Sequence, residues 1–377
     1  MQNIDTMIAK RSRDNLMHTK YNFSAGPAVI PTSVLQQVQH DILDWKGTGL
    51  SIMGFSHRSS EFMQLAEESE MILRELMEVP DNYHVLFCHG GGSGQFSAVP
   101  LNLVDKSQTA DYVVSGHWSK YAAIEASKFC KVNTINIVQR NNQKQSLLSP
   151  VDWQLSQDAQ YVFFCPNETV DGLEINELPI TDKPIIADMS SFILSRPIDV
   201  SKYGIIYAGA QKNIGPAGLT LVIIRDDLLG KVSREIPTIF DYKVLAENYS
   251  MPNTPPTYPW YVANEVFKWL KEIGGVSAIY KINIEKAALL YDAIDNSSLY
   301  INHIDSAARS IMNVPFYLKS EALTEKFVSL AHTAGLTSLK GHSSVGGIRA
   351  SIYNAMPIEG VKTLVTFMKQ FEEQFYN

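Results

Sequence analysis

The stretch IIYAGAQKNIGPAGLTLVIIR, from Ile205 to Arg225, indicates the fold more clearly than any other part of the chain. An apolar run leads to Gln211 and Lys212, a turn rich in glycine and proline follows, and a second apolar run leaves. Continuously apolar runs of this kind are typical of strands covered on both faces. The residues GPAG at 215–218 are too few for a crossover connection, so we predict that the second strand runs antiparallel to the first.

Other short apolar runs precede this stretch, and each ends in glycine or in polar residues. They read HVLFCHG, ADYVVSG, VNTINIV, AQYVFFCPN and KPIIADMS. Helical segments such as SKYAAIEASKF, at 119–129, lie between them. Strands that alternate with helices are typical of an α/β fold with a mostly parallel sheet. We therefore predict an α/β protein and expect ligands at the carboxyl ends of its strands.

Two helices are predicted before the first of these strands. Residues 31–45, PTSVLQQVQHDILDW, begin with a proline in a position that suits a first helical turn. In residues 59–79, SSEFMQLAEESEMILRELMEV, apolar side chains recur on one helical face and acidic side chains on the other. Ser59 or Ser60 is the expected N-cap of this second helix.

The chain is long enough for more than one domain, and its pattern changes after residue 260. Two long helices come first, and short strands then alternate with helices. We expect a large domain at 32–272 and a small C-terminal domain at 273–377. Residues 21–31 are expected to pack with the small domain, and residues 1–20 to form a flexible arm.

Composition excludes several classes of function. The 377 residues are 45% hydrophobic and carry a net charge of −7, which argues against a broad nucleic-acid surface. The three cysteines lie far apart without CxxC spacing, which argues against a zinc site or a disulfide framework and suits a reducing cytosol. No apolar run is long enough to span a bilayer, and the N-terminal residues lack the apolar centre of a signal peptide. We therefore expect a cytoplasmic protein that binds no metal, nucleic acid or membrane.

A glycine-rich segment is the first candidate for ligand binding. Residues 88–103, CHGGGSGQFSAVPLNL, follow a predicted strand and open a predicted helix. Glycines let backbone N–H groups approach an anion, and the N-terminus of a helix adds a positive partial charge, which suits a phosphate. The segment matches neither G-x-x-x-x-G-K-[ST] nor G-x-G-x-x-G. A tight structural turn is the alternative interpretation.

Two charged residues follow neighbouring predicted strands. Asp188 ends the run PIIAD, and its carboxylate could hold a cationic ring nitrogen. Lys212 follows the next strand, where burial would depress the pKa of its amine and favour reaction with a carbonyl group. Taken singly, a solvated or capping aspartate and a surface lysine are the more common interpretations. Together with a phosphate site, however, these residues are what pyridoxal phosphate requires.

Further candidates lie near the predicted strand ends. The indole of Trp118 could cover one face of a planar cofactor, and Thr169 could hydrogen-bond a phenolic oxygen. Arg349 could bind a carboxylate with both arms of its guanidinium. The remaining candidates are basic residues that could face an anionic substrate: His57, Arg58 and His342. Each has a structural alternative, such as a core tryptophan, a turn residue or a salt bridge.

Several long motifs, in this order, resemble those of the phosphoserine aminotransferases, a family of fold-type I pyridoxal-phosphate enzymes. They are NFSAGPA, SHRSSEF, CHGGGSGQFSAVPLNL, CPNETVDG, ILSRPIDVSKYG, IYAGAQKNIGPAGLT, NTPPT and GGIRASIYNAM. The resemblance covers the chain from about Tyr21 to the C-terminus. It implies a large domain with a mostly parallel seven-stranded sheet, a smaller α/β domain, and a homodimer with active sites at the subunit interface.

The resemblance assigns roles around the cofactor ring. Lys212 would be the Schiff-base lysine, which shuttles a proton between the substrate α-carbon and the cofactor. Asp188 would keep the pyridine nitrogen protonated. Trp118 would stack on the ring, and Thr169 would contact its phenolic oxygen.

The resemblance also assigns a phosphate site and a substrate site. Gly92, Ser93 and Gln211 would bind the cofactor phosphate, which Asn253 and Thr254 would reach from the neighbouring subunit.

Arg349 would bind the substrate α-carboxylate. His57, Arg58 and His342 would face the substrate phosphate or the side-chain carboxylate of glutamate.

The sequence departs from the family pattern at two positions. Ser93 stands where many bacterial members have arginine and others have a small residue. Ser343 stands where the family usually reads KGHR, and that arginine helps to bind the substrate phosphate. Losing one charge-assisted contact typically costs about 1.5–3 kcal/mol, unless another cation compensates.

The resemblance implies transfer of the amino group from L-glutamate to 3-phosphohydroxypyruvate, which gives O-phosphoserine and 2-oxoglutarate in serine biosynthesis. It also implies a possible side activity at the phosphohydroxythreonine step of pyridoxal phosphate synthesis. One alternative is the same chemistry on another, unphosphorylated 2-oxo acid, because of Ser343. The others are a nucleotide-dependent α/β enzyme that uses the glycine segment, and a binding protein that keeps the fold without the activity.

Overall fold

A computed structural model describes residues 20–376 of the chain as an α/β protein. Nearly all of the arm predicted at residues 1–20 lies outside these residues. The helices are α1 (Thr32–Asp41), α2 (Ser60–Met77), α3 (Gly91–Leu103), α4 (His117–Ala126), α5 (Tyr242–Glu247), α6 (Thr257–Glu272), α7 (Gly275–Asp295), α8 (Glu321–Thr333) and α9 (Ile358–Phe375).

Most strands lie between α2 and α5, in the region where the sequence predicts them. The strands are β1 (Tyr21–Asn22), β2 (Tyr83–Cys88), β3 (Thr109–Val114), β4 (Lys131–Asn136), β5 (Val138–Asn141), β6 (Lys144–Leu147), β7 (Ala159–Phe164), β8 (Ile185–Asp188), β9 (Ile205–Gly209), β10 (Thr220–Arg225), β11 (Tyr300–Ile301), β12 (Asn313–Leu318), β13 (Leu336–Thr337) and β14 (Ile348–Ser351).

A seven-stranded sheet forms the centre of the molecule, with strand order β2-β10-β9-β8-β7-β3-β4. Strand β10 is antiparallel to β9 and to β2, and the other neighbouring pairs are parallel. The prediction of two antiparallel strands within residues 205–225 is therefore confirmed. So is the fold class, an α/β protein with a mostly parallel sheet.

Helices cover both faces of this sheet, which explains the continuously apolar strands. In β9, Ile206 and Ala208 join a hydrophobic cluster formed with α1, α2 and α6. Ile205 and Tyr207 point to the opposite face and join a cluster formed with α3, α4 and α5. Successive side chains of a strand point to opposite faces of the sheet. When helices cover both faces, every side chain is buried, and the strand is therefore apolar throughout.

The two predicted N-terminal helices are present, although the first is shorter than expected. Helix α1 ends at Asp41, and Trp45 lies in a separate short 3₁₀ turn. Helix α2 has Ser59 as its N-cap, with the hydroxyl oxygen accepting a hydrogen bond from Phe62 N at 3.3 Å. Its apolar face is buried, including Phe62 and Leu73, which are fully inaccessible. Each such side chain stabilises the fold by about 1.5–3 kcal/mol.

A further large hydrophobic cluster contains residues of α7, α8, α9 and the strands β11, β12 and β14. The N-terminal segment joins it, because Phe23 is buried there and β1 pairs in parallel with β13, placing Tyr21 opposite Leu336. Our division into domains at residues 32 and 273 stays a prediction.

Asparagine side chains link the central sheet to this cluster. Asn213, next to the turn after β9, accepts a hydrogen bond from Asn354 N at 3.0 Å. The Asn354 side chain donates to Leu194 O at 2.8 Å. Asn283, on α7, donates both to Ser195 O at 3.0 Å and to Asn354 Oδ1 at 2.8 Å. These side chains are buried, so the bonds form a fixed polar connection between the two parts of the chain.

Candidate active site

A cavity of about 300 Å³ opens at the carboxyl ends of β8 and β9. This is the edge of the sheet at which α/β proteins bind ligands. Most of the predicted site residues line it, namely Gly92, Ser93, Trp118, Thr169, Asp188, Gln211, Lys212, His342 and Arg349. The fold therefore brings together residues that are far apart in the sequence.

Lys212 lies in the turn that follows β9, and its side chain extends into the cavity. Its Nζ donates a hydrogen bond to Thr169 Oγ1 at 2.7 Å. Burial lowers the pKa of the Lys212 amine below its usual range, and the negative charge of Asp188 partly opposes that shift. The neutral form of the amine is consequently more favoured here than on the protein surface, and only the neutral form is nucleophilic.

Asp188 is the last residue of β8, and its carboxylate is buried. Its Oδ1 accepts a hydrogen bond from Ser190 N at 2.9 Å. Burial raises the pKa of the Asp188 carboxyl, while the contacts with Ser190 and the charge of Lys212 lower it. Such a carboxylate is well placed to bind a cationic group inside the cavity.

The glycine-rich segment turns sharply beside Asp188 and opens α3. Gly90 precedes the helix with φ of 91°, a conformation that favours glycine. A Cβ at Gly92 would lie 3.3 Å from Ser190 Oγ and 3.6 Å from Asp188 Oδ2, so a side chain there would enter the cavity wall. The first turn of α3 thus presents backbone N–H groups to the cavity at close range.

Trp118 forms another wall, from the first turn of α4. Its Nε1 is buried and has no hydrogen-bond partner among residues 20–376. Its backbone N–H donates to Glu168 Oε2 at 2.9 Å, and Ser119 N donates to Glu168 Oε1 at 2.9 Å. The residue after Glu168 is Thr169, so one buried carboxylate connects the walls that carry Trp118 and Thr169.

Glu168 was not predicted as part of the site. Its side chain is fully buried, and it also accepts a hydrogen bond from Ser119 Oγ at 2.5 Å. Burial raises the pKa of the Glu168 carboxyl to about 7, against the hydrogen bonds from Ser119 and Trp118, which lower it. A glutamate inside the polar motif PNETVDG carries no sequence signal of burial, so only the fold identifies this contact.

Arg349, on β14, reaches the cavity from the C-terminal cluster. Its Nη1 lies 3.4 Å from Thr169 O, and its Nε is buried without a hydrogen-bond partner among the described residues. Burial lowers the pKa of the Arg349 guanidinium. No carboxylate pairs with this cation among the salt bridges of residues 20–376. It is therefore available to an anionic ligand.

His342 lines the cavity from the loop before β14. Its Nδ1 lies 2.7 Å from Ser344 Oγ. The neighbouring Ser343 is exposed and does not line the cavity. Position 343, where the resemblance led us to expect arginine, therefore lies in the same loop as His342 but contributes no charged group to the cavity.

Other predicted residues do not meet Lys212 within this chain. Arg58, Asn253 and Thr254 are exposed, and none of them lines the cavity. His57 is half-buried outside the cavity, and its Nε2 has no hydrogen-bond partner in the described part of the chain. Asn253 Nδ2 instead lies 3.5 Å from His89 Nε2, beside the glycine-rich turn.

The residues around the cavity fit pyridoxal phosphate. The amine of Lys212 and the buried carboxylate of Asp188 line the same cavity. Pyridoxal phosphate carries an aldehyde that reacts with an amine and a ring nitrogen that binds a carboxylate, so one molecule could contact both residues. The absence of a side chain at Gly92 and the N-terminus of α3 suit a phosphate. Trp118, whose Nε1 has no hydrogen-bond partner among the described residues, borders the same cavity with a flat apolar surface.

Between residues 20 and 376, no three or more histidine, cysteine, aspartate or glutamate side chains gather as metal ligands. No helix in that range combines the length and the apolar character of a membrane span.

Comparisons with known proteins show the family to which the chain is similar. Residues 20–364 match the family model for class-V aminotransferases. A phosphoserine aminotransferase from Bacillus circulans subsp. alkalophilus is 41% identical, with a TM-score of 0.90, over 94% of this chain and 99% of that chain. A phosphoserine aminotransferase with bound pyridoxal phosphate from Trichomonas vaginalis is 41% identical, with a TM-score of 0.88, over 93% of this chain and 100% of that chain. The ureidoglycine-glyoxylate aminotransferase of Bacillus subtilis is 15% identical with a TM-score of 0.77, over 97% and 96% of the two chains, and shares the fold.

Proposed function

The chain belongs to the class-V aminotransferases and uses pyridoxal phosphate as its cofactor, and from this membership we propose its reaction. The amino group of L-glutamate is transferred to 3-phosphohydroxypyruvate, which gives O-phospho-L-serine and 2-oxoglutarate. The observation that carries this proposal is the pair of phosphoserine aminotransferases at 41% identity whose whole length the chain matches.

The geometry of the cavity supports the roles proposed for its residues. Lys212 would hold the cofactor covalently, and Asp188 would bind its ring nitrogen. The first turn of α3, with Gly92 and Ser93, and Gln211 would bind its phosphate. When bound, pyridoxal phosphate supplies an electron-withdrawing ring that accepts the electron pair left at the substrate α-carbon.

The substrate would lie between Lys212 and Arg349. The unpaired guanidinium of Arg349 binds the α-carboxylate and fixes the orientation of the α-carbon. Lys212 Nζ would then remove the proton from the α-carbon, because burial lowers the pKa of its amine and so favours the neutral form that accepts a proton. Thr169 holds the amine in place through its hydroxyl group.

A second copy of the chain would complete the site. Asn253 and Thr254 are exposed and do not line the cavity of their own chain, as expected of residues that reach a neighbouring subunit. His57 and Arg58 also lie outside the cavity of their own chain. We therefore propose a homodimer whose two active sites lie at the interface.

The proposal places the enzyme in serine biosynthesis, as a protein of the cytoplasm. A side reaction on the phosphorylated threonine-like precursor of pyridoxal phosphate is also proposed, because that substrate carries the same phosphate and 2-oxo acid groups.

Comparison of two amino-group acceptors tests the substrate. Initial rates with L-glutamate are measured for 3-phosphohydroxypyruvate and for hydroxypyruvate, and the products are identified by mass spectrometry. We expect kcat/KM to be about tenfold to a hundredfold higher for the phosphorylated acceptor, since one to two charge-assisted contacts distinguish the two. Lys212→Ala serves as the control for background transamination and should show none above the uncatalysed rate.

Equal or better use of hydroxypyruvate would contradict the proposal. It would favour the alternative, a class-V aminotransferase for an unphosphorylated 2-oxo acid. The exposed Ser343, which adds no charge to the cavity, is the observation behind that alternative.

A further inference from the structure

We propose that His117 and His342 together form the cationic subsite for the distal anionic group of the substrate, and that His117 compensates for the missing arginine at position 343. The group bound there is a phosphate monoester or a side-chain carboxylate. This inference rests on the proposed function, because it concerns the specificity of the same cavity.

The two imidazoles are in contact beside the cavity. The ring centroids of His117 and His342 lie 5.1 Å apart, with their planes at 60°. His342 itself lines the cavity, and His117 is the first residue of α4, directly before Trp118. Two rings at this distance and angle can direct N–H groups at one anion between or beside them.

The position of His117 is fixed by its neighbours. Its backbone N–H donates to Asp171 Oδ2 at 2.8 Å, and its ring lies 4.7 Å from that of Tyr121 and 5.1 Å from that of Trp118. Side-chain ring contacts on two sides hold the imidazole on the side of α4 that faces the His342 loop.

The titratable groups around this pair come from three parts of the structure. Asp171 interacts electrostatically with both imidazoles, and Tyr317 on β12 faces Asp171. Lys120 lies one turn along α4 from His117. Burial and then the proximity of His342 lower the pKa of His117, an effect that the charge of Asp171 opposes.

These neighbours couple proton uptake to the binding of an anion. Two imidazoles this close disfavour a charge on each other, whereas an anion bound to both favours it. Binding should therefore be tightest below the pKa of the imidazole and weaken as pH rises.

Other cations in this part of the chain are less suitable. Ser343 is exposed and carries no charge, and Lys340, the nearest lysine in the same loop, is exposed. Arg349 lies in the cavity but is assigned to the α-carboxylate. Among the described residues near His342, His117 is thus the titratable group whose ring contacts the ring of His342.

Inorganic sulfate is the probe for this subsite, because it remains a dianion throughout the pH range in which histidine titrates. Its inhibition of the half-reaction between the holoenzyme and L-glutamate is followed by the visible absorbance of the bound cofactor. Inhibition constants are measured from about pH 6.5 to about pH 8.5 for the wild type, His117→Gln, Lys340→Gln and the double variant His117→Gln, Ser343→Arg.

We expect sulfate to bind the wild type about tenfold more tightly at the acidic end of this range. His117→Gln should weaken sulfate binding about tenfold at the acidic end and flatten the pH dependence. The double variant should bind tightly at every pH, because arginine stays charged. Lys340→Gln should behave as the wild type.

An unchanged inhibition constant in His117→Gln would overturn the inference, as would a loss confined to Lys340→Gln. This result is separable from failure of the proposed function. If the wild type ignored 3-phosphohydroxypyruvate while His117→Gln lost sulfate binding, the proposed substrate would be wrong and the anion subsite would stand.

Discussion

The amine of Lys212 lies 2.7 Å from the hydroxyl group of Thr169, which follows a different strand of the sheet. Thr169 in turn follows Glu168, whose carboxylate holds the first turn of α4. Lys212, Thr169 and Trp118 are thereby connected through one short path of hydrogen bonds and chain.

Thr169→Val tests the hydroxyl group that holds Lys212. Valine keeps the shape of the side chain but accepts no hydrogen bond, so we expect the cofactor Kd to rise by about fivefold, equivalent to about 1 kcal/mol. Quenching of tryptophan fluorescence on addition of pyridoxal phosphate to the apoenzyme measures this Kd. Thr220→Val is the control, because the buried Thr220 hydroxyl has no hydrogen-bond partner among residues 20–376. Equal effects of both variants would contradict the role of Thr169.

Asp188→Asn tests the buried carboxylate. The amide keeps the hydrogen bond from Ser190 N in one orientation but removes the negative charge that faces Lys212. We expect kcat to fall at least about a hundredfold, since a charge-assisted contact of about 3 kcal/mol is lost. Stopped-flow measurement of the half-reaction with L-glutamate gives this rate.

A second buried aspartate provides the control for Asp188. Asp111 accepts hydrogen bonds from Asn133 Nδ2 and Ser156 N and does not line the cavity. Asp111→Asn should therefore lower stability without changing kcat of the folded enzyme. A comparable loss of kcat in both variants would indicate general damage to the sheet.

Arg349→Lys tests binding of the α-carboxylate. Lysine keeps the charge but loses the two parallel N–H groups, so we expect KM for glutamate to rise about tenfold to a hundredfold, with a smaller change in kcat. Steady-state kinetics with both substrates separates the two constants. Arg309→Lys, at an arginine already paired with Asp295 at 2.6 Å, should leave both constants unchanged. An unchanged KM in Arg349→Lys would exclude the proposed role.

Glu168→Gln tests the buried carboxyl and predicts a pH dependence. The pKa of Glu168 is raised from 4.5 to about 7 in the fold, so the folded chain binds a proton that the unfolded chain releases. The resulting stabilisation is complete at low pH and is lost as pH rises through about 7, at up to about 1.4 kcal/mol per pH unit. The Tm of the wild type minus that of Glu168→Gln should therefore fall between about pH 5 and about pH 8.

Glu125, on the helix α4 whose first turn Glu168 binds, provides the matched comparison. Hydrogen bonds from Lys128 and Ser97 lower the pKa of Glu125, so its titration lies at more acidic pH. The Tm difference between the wild type and Glu125→Gln should stay constant between about pH 5 and about pH 8. A slope of the same size in both series would show that neither reports on its own carboxyl.

Asp188 and Lys212 could be predicted from the sequence because the position of each depends only on where a strand ends. Asp188 and Lys212 each follow an apolar run, and the carboxyl ends of neighbouring parallel strands meet at one edge of the sheet. The glycines before α3 also follow a strand that reaches this edge, which brings Gly92 beside Asp188. The antiparallel return through β10 was predicted from the shortness of one turn.

Other residues could not be placed from the sequence. Glu168 lies in a polar motif, and its complete burial depends on α4, which packs over it from another part of the chain. The contact between His117 and His342 joins the start of α4 to a distant loop, and no periodic pattern in the sequence relates the two. Asn253 and Thr254 are exposed in the single chain. Sequence patterns do not distinguish a surface residue that contacts its own chain's cavity from one that contacts the cavity of a neighbouring subunit.

The hydrogen bonds of Asn213, Asn283 and Asn354 limit how this chain can be recombined with its relatives. A chimaera that received residues 273–377 from another aminotransferase would lose the bonds to Leu194 O and Ser195 O unless the donor also carried asparagine at positions 283 and 354. Each mismatch would leave a buried carbonyl unsatisfied beside the turn that carries Lys212. Hybrids should therefore keep these asparagines as a set.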